Sequence, residues 1–196
     1  MKKLFKLTLA VLMVISLATC VWNQANAAGK ASNGSAKKAK ILVAYFSYQG
    51  HTRQVAKWIH EQVGGDIFEI QTVKPYSSNY DTTVDQAKRE QQENARPKLK
   101  THVNNMNDYN VVFLGYPNWW NTIPMPLFTF MEEYNFSGKT IIPFCTNGGG
   151  GFGSGVDDMK STLSKAKFLK GIEIRDSHVK NAKDEVTRWV KGLNII

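Results

Sequence analysis

Cysteine is nearly absent, with Cys20 and Cys145 the two examples in 196 residues. If Cys20 leaves with an N-terminal leader, no internal disulfide is possible and the core alone must hold the fold. Cys145 ends an apolar run, a position that suits a buried small hydrophobe better than a reactive thiol. Acid is absent before Glu61, and that absence explains most of the formal charge of +9. Seven of the 25 Lys and Arg residues precede residue 41, so residues 41–196 carry 18 basic against 16 acidic side chains, a net of +2. Such a body has no need of nucleic acid or another acidic partner. No Gly-x-x-x-x-Gly-Lys-Ser/Thr run occurs, which excludes a P-loop NTPase. The four histidines, at 51, 60, 102 and 178, show no metal-ligand spacing. Hydrophobic residues at 42% with 21% charged are ordinary for a globular domain.

Residues 1–27 have the three zones of a secretory signal. Lys2 and Lys3 are followed by the apolar run from Leu7 to Ala18 and by the small-residue site Ala25-Asn26-Ala27. The run is short for a bilayer span, which argues against an uncleaved anchor. Leu17-Ala18-Thr19-Cys20 resembles a lipobox but has Thr19 where Gly or Ala is usual, so lipidation at Cys20 is the lesser reading. No twin-Arg pair precedes the run, so the chain is expected to cross unfolded and to reach an extracytoplasmic space, periplasmic or secreted. Residues 28–39 hold little that could be buried and read as a flexible linker. The expected folded domain is 40–196.

From Lys40 onward, β-branched and aromatic runs alternate with helix-period segments, the pattern of βα units on a parallel sheet. Strands are expected at Ile41–Phe46, Ile67–Val73, Val111–Gly115, Thr140–Cys145 and within Phe168–Arg175. Helices are expected from about Thr52 to Val63, over part of Thr83–Ala95, from Pro126 to Tyr134, from near Ser154, and from Asn181 to Leu193. Ser154 with Asp157, and Asn181 with Asp184, fit N-terminal capping pairs. The fold class is α/β, doubly wound, and its ligands should sit beyond the carboxyl ends of the strands.

Three loops at those ends carry the informative residues. Ser47, Gln49, Gly50, His51 and Thr52 form a strand-to-helix turn suited to a terminal phosphate without a lysine, with His51 or Arg53 as charge at the rim. A plain tight turn would look the same. Pro117, Asn118, Trp119 and Trp120 put two indoles in one polar loop. They cannot both face the core, so one should cover a flat ligand or lie exposed, unless both staple the loop down. Thr146 and Asn147 lead into Gly148, Gly149 and Gly150, where backbone can approach a ligand or hinge. Gly148-x-Gly150-x-x-Gly153, with Glu173 twenty residues on, satisfies a dinucleotide fingerprint formally. It is set aside because that fingerprint opens the first unit of a longer sheet. A phosphoreceiver domain is set aside because no carboxylates end the first and third strands.

Together the loops resemble the flavodoxin-like superfamily, most closely members with a Gly-Tyr-Pro-x-Trp-Trp segment, here Gly115 to Trp120. The likeness runs on through Phe136-Ser137-Gly138-Lys139-Thr140 and Phe144-Cys145-Thr146. It implies a three-layer sandwich on a five-stranded parallel sheet of order 2-1-3-4-5. It also implies FMN, with phosphate at the first loop and the isoalloxazine ring between the second and third, and places Tyr76 and Tyr80 near the site. His51 stands where Asn is frequent. The expected function is electron transfer through bound flavin, to a redox partner protein. The alternatives are an NAD(P)H-dependent FMN reductase acting on quinone-like small molecules and a non-redox module for a phosphorylated aromatic ligand. No catalytic side chain and no metal are assigned.

Overall fold

The structure, a computed structural model, describes residues 39–195. The leader, Cys20 and the linker up to residue 38 lie outside the described residues. The strands are β1 (Ile41–Tyr45), β2 (Asp66–Glu69), β3 (Val111–Pro117), β4 (Thr140–Asn147), β5 (Lys167–Phe168) and β6 (Ile172–Arg175). The helices are α1 (His51–Val63), α2 (Tyr80–Gln92), α3 (Met125–Glu133), α4 (Gly155–Thr162) and α5 (Lys183–Gly192).

All strand pairs are parallel in the order β2-β1-β3-β4-β5, with β6 also on β4, as the resemblance implied. Alternate residues of the central strands feed two cores, which is why those strands read as nearly continuous apolar runs. Val43, Phe113, Ile142 and Phe144 pack under α1 and α5. Leu42, Leu114, Ile141 and Cys145 face the opposite core, with Leu127, Phe130 and Met131 of α3 and Met159 of α4. α1 buries Val55, Trp58, Ile59 and Val63, the face read from its spacing.

The fifth strand is not continuous. β5 and β6 both pair with β4 but are separated by Leu169–Gly171. The cause lies in β4. Leu169 N donates to Ile141 O at 3.0 Å, and the next donor on that side of β4 would be residue 143, a proline without an N–H. The backbone therefore bends away, and pairing resumes at Phe144 with Ile172. Gly171 sits in the bend because a Cβ there would lie 2.5 Å from Pro143 O.

Other boundaries move as well. α2 begins at Tyr80 rather than Thr83 because Asn79 caps it, accepting from Thr82 N at 2.9 Å. The two proposed caps fail. Ser154 takes helical dihedrals and makes no capping bond; its hydroxyl instead donates to Asn121 O at 3.0 Å and meets Asp158 Oδ2 at 2.7 Å. Asn181 ends a 3-10 turn, Asp176–Asn181, and α5 starts at Lys183 behind Ala182. Lys139, which closes the turn before β4, is buried, with its ammonium donating to Met106 O at 2.9 Å and Tyr109 O at 2.7 Å.

Candidate functional site

Three strand ends converge. Beyond β1 the chain turns at Gly50, whose φ of +91° belongs to the left-handed region that glycine adopts without strain. α1 starts immediately after. Ser47 Oγ accepts from Arg53 N at 3.2 Å and Gln54 N donates to Gly50 O. Among the described residues the first-turn amides of His51 and Thr52 find no acceptor. Free amides at the positive end of a helix form a ready anion site.

Ser47, Gln49, His51, Thr52, Pro117, Asn118, Trp119, Thr146 and Gly148 line one polar cavity of about 270 Å³, joined by Tyr48, Tyr80 and Asp176. Thr52 and Thr146 are both buried, and their hydroxyls meet at 2.9 Å, tying the first loop to the third. Asn118 N donates to Thr146 O at 2.8 Å, and Asn118 Nδ2 to Gly151 O at 2.8 Å, tying the second loop to the third. That geometry leaves Asn118 Oδ1 buried without a partner among the described residues. A buried acceptor left open is costly unless something donates to it.

Tyr48, Tyr80, Asn118 and Trp119 are shared with a second cavity of about 270 Å³, whose other walls are Thr83, Val84 and Ala87 of α2 and Trp120. The two form one trough, polar at the α1 end and apolar at the α2 end. Trp119 sets the middle. Its ring packs edge-on against Phe46 at 5.4 Å, Tyr48 at 5.7 Å and Tyr76 at 5.2 Å. Trp120 turns outward, 44% exposed. Its indole N–H donates to Val84 O at 3.0 Å, and Lys88 Nζ lies 4.9 Å above its ring.

Some expected residues are not brought to the polar cavity. Trp120 walls only the apolar end. Asn147 is turned into the protein, donating to Glu173 Oε2 and accepting from Gly149 N at 2.8 Å. Glu173 is thereby engaged as a loop anchor. Gly149 and Gly150 shape the loop without lining the trough. Of the two rim charges considered, His51 lines the cavity, whereas Arg53 is held by Glu69 with two bonds to its Nε at 3.1 and 3.2 Å. Tyr48, Asp176 and the α2 wall were missed. Tyr48 stood in the loop as read, and its aromatic character was the available signal. Asp176 lies 125 positions from His51, so only the fold joins them.

Cys145 lies under the third loop, fully buried, its thiol pushed up to about 12 by burial. A thiol so placed is almost wholly protonated near neutrality. Native protein should resist iodoacetamide at pH 8 and be alkylated at one more site once unfolded in urea, as mass spectrometry would read; rapid labelling of native Cys145 would contradict the burial.

Comparison with known proteins bears on the family and the fold. Residues 40–193 match the model of a family described as Flavodoxin. Two solved structures, provisionally described as flavoproteins, are similar. The one from Bacteroides eggerthii DSM 20697 is 32% identical, covering 79% of this chain and 97% of its own at a TM-score of 0.69. The one from Bacteroides uniformis ATCC 8492 is 30% identical, covering 79% and 99% at 0.71. A flavoprotein of Lactobacillus acidophilus NCFM, solved in complex with FMN, shares the fold at 20% identity, covering 72% and 97% at 0.60. No curated protein matches the chain.

Proposed function

Because the chain belongs to the flavodoxin family, we propose that it holds FMN in the trough described above and transfers electrons through it. Family membership supports a flavin cofactor and a redox role in general. The observation that carries it is the trough itself, with free helix amides at one end, Trp119 at its centre and an apolar wall at the other. FMN has the same polarity along its length.

The amides of His51 and Thr52, with the hydroxyls of Ser47 and Thr52 and the amide of Gln49, would hold the phosphate. Ser47 Oγ already accepts from Arg53 N, and its proton remains free to donate. Asn118 Oδ1 would accept an N–H from the polar edge of the ring, satisfying the buried oxygen that has no partner among the described residues. Pro117, Trp119 and Tyr48 would flank the ring and exclude water, and the backbone of Thr146 and Gly148 would border it. When bound, FMN supplies the capacity to accept and release one or two electrons. The chain supplies position, burial and hydrogen bonds, and no side chain is needed as acid or base. In this reading residues 1–27 direct export and the domain works outside the cytoplasm.

A second reading, the NAD(P)H-dependent reductase of quinone-like molecules, is favoured by the apolar walls of Val84, Ala87 and Trp120. They extend past the residues shared with the polar cavity and leave room for a flat acceptor. Steady NADPH oxidation with a quinone supports the reductase. Its absence, with electrons passing to a protein acceptor, supports the carrier.

The test of the common core is direct. Purified protein titrated with FMN should quench flavin fluorescence with one-to-one saturation and carry a yellow chromophore through gel filtration. A protein that ignores FMN but binds another aromatic nucleotide would be the non-redox module instead.

A further inference from the structure

The polar end of the trough contains a group that an anion site does not call for. Asp176, the first residue of the 3-10 turn after β6, lines the same cavity as the α1 amides. Its Oδ1 lies 3.1 Å from His51 Nδ1. Among the described residues no lysine or arginine lines this cavity. Of the described residues, His51 is the one basic side chain that lines it, and Asp176 is the carboxylate set against it.

Resting on the proposal that the trough binds FMN, we propose that Asp176 is a specificity-determining residue that weakens the grip on the cofactor's phosphate. Two physical effects act in the same direction. A carboxylate beside a helix N-terminus is attracted to its positive end, so Asp176 competes with an incoming anion for the same field. A phosphate monoester carries close to two negative charges at neutral pH, and a fixed carboxylate lining its cavity repels it. His51 offsets part of that repulsion. Asp176 is about one-third exposed, at 36%, so solvent and salt screen the effect without abolishing it.

Charge acting at the phosphate leaves a signature that a merely structural contact does not. Riboflavin presents the same ring without the phosphate, so its affinity should be indifferent to the pair. The loop is built of uncharged donors, and with Asp176 beside them its preference for phosphorylated over unphosphorylated flavin should be modest. Flavin held this way can exchange.

The experiment measures Kd for FMN and for riboflavin by fluorescence quenching on the full chain, on Asp176→Asn, on His51→Gln and on the double variant, at low and high salt. Asp176→Asn should tighten FMN about tenfold at low salt, and less at high salt. His51→Gln should loosen FMN by a similar factor, the double variant should return close to the parent, and riboflavin should move in none of them. A thermal melt of each variant confirms folding. If FMN and riboflavin shift together, or if Asp176→Asn weakens FMN, the pair is a structural tie and the proposal is overturned. A parent chain that binds neither flavin overturns the FMN reading itself, and this inference with it. FMN bound with an unmoved ratio overturns only the role of Asp176.

Discussion

Trp119→Ala is expected to weaken FMN binding about a hundredfold, and Trp120→Ala less than tenfold. The two indoles are neighbours in sequence and opposites in the fold. Trp119 lies between the polar and apolar halves of the trough and makes three edge-to-face contacts, with Phe46, Tyr48 and Tyr76. Each such pair is worth roughly 0.5–1.5 kcal/mol beyond the area it buries. Removing the indole takes away ring contact with the cofactor and the edge-to-face contact that helps to hold Tyr48 in place. A combined loss of about 2.7 kcal/mol corresponds to the hundredfold change. Trp120 contributes through its bond to Val84 O and its share of the apolar wall. Titration should be done well below the melting temperature of each variant, because Trp119→Ala also opens a cavity in partly buried structure. Unchanged affinity in a folded Trp119→Ala variant would remove the ring from this position.

The second large effect is structural. Gly115→Ala should cost about 3 kcal/mol of stability and lower Tm by about 10 °C for a domain of this size. Gly115 is in β3 between Tyr45 of β1 and Phe144 of β4, and a methyl there would overlap the Phe144 ring. Phe144 is fully buried in the core beneath α1 and α5 and has no exposed end to swing outward. The strain would reach the site, because Phe46 N donates to Gly115 O at 3.0 Å, fixing the first residue after β1. A melt followed by circular dichroism would read the loss, and an unchanged Tm would show that the Phe144 ring can yield.

The central strands were legible because burial on both faces leaves an almost unbroken apolar run, and α1 because one face repeats at helical spacing. What escaped depends on distant contacts. The break between β5 and β6 follows from a proline on the neighbouring strand, 28 positions before Gly171. Ser154 and Asn181 have the right chemistry for caps. The first is diverted by Asn121 O and Asp158, and the second is drawn into a turn that begins at Asp176. α2 sits in a polar stretch and buries only Thr83 and Ala87, so its amphipathic signal was faint, although it walls half of the trough. The three loops were identified from composition and position after a strand. Which of their residues point inward was settled by the bonds among them, as Asn147 and Glu173 show.

The interrupted outer strand also bears on how copies of the chain meet. An edge of unpaired peptide groups invites a neighbour to add its own strand, and a long flat edge is a seed for aggregation. Here that border of the sheet offers pieces of two and four residues, broken at Leu169–Gly171, so an arriving strand cannot form a continuous ladder along it. Pro143 thus protects the outer border of the sheet against intermolecular zippering.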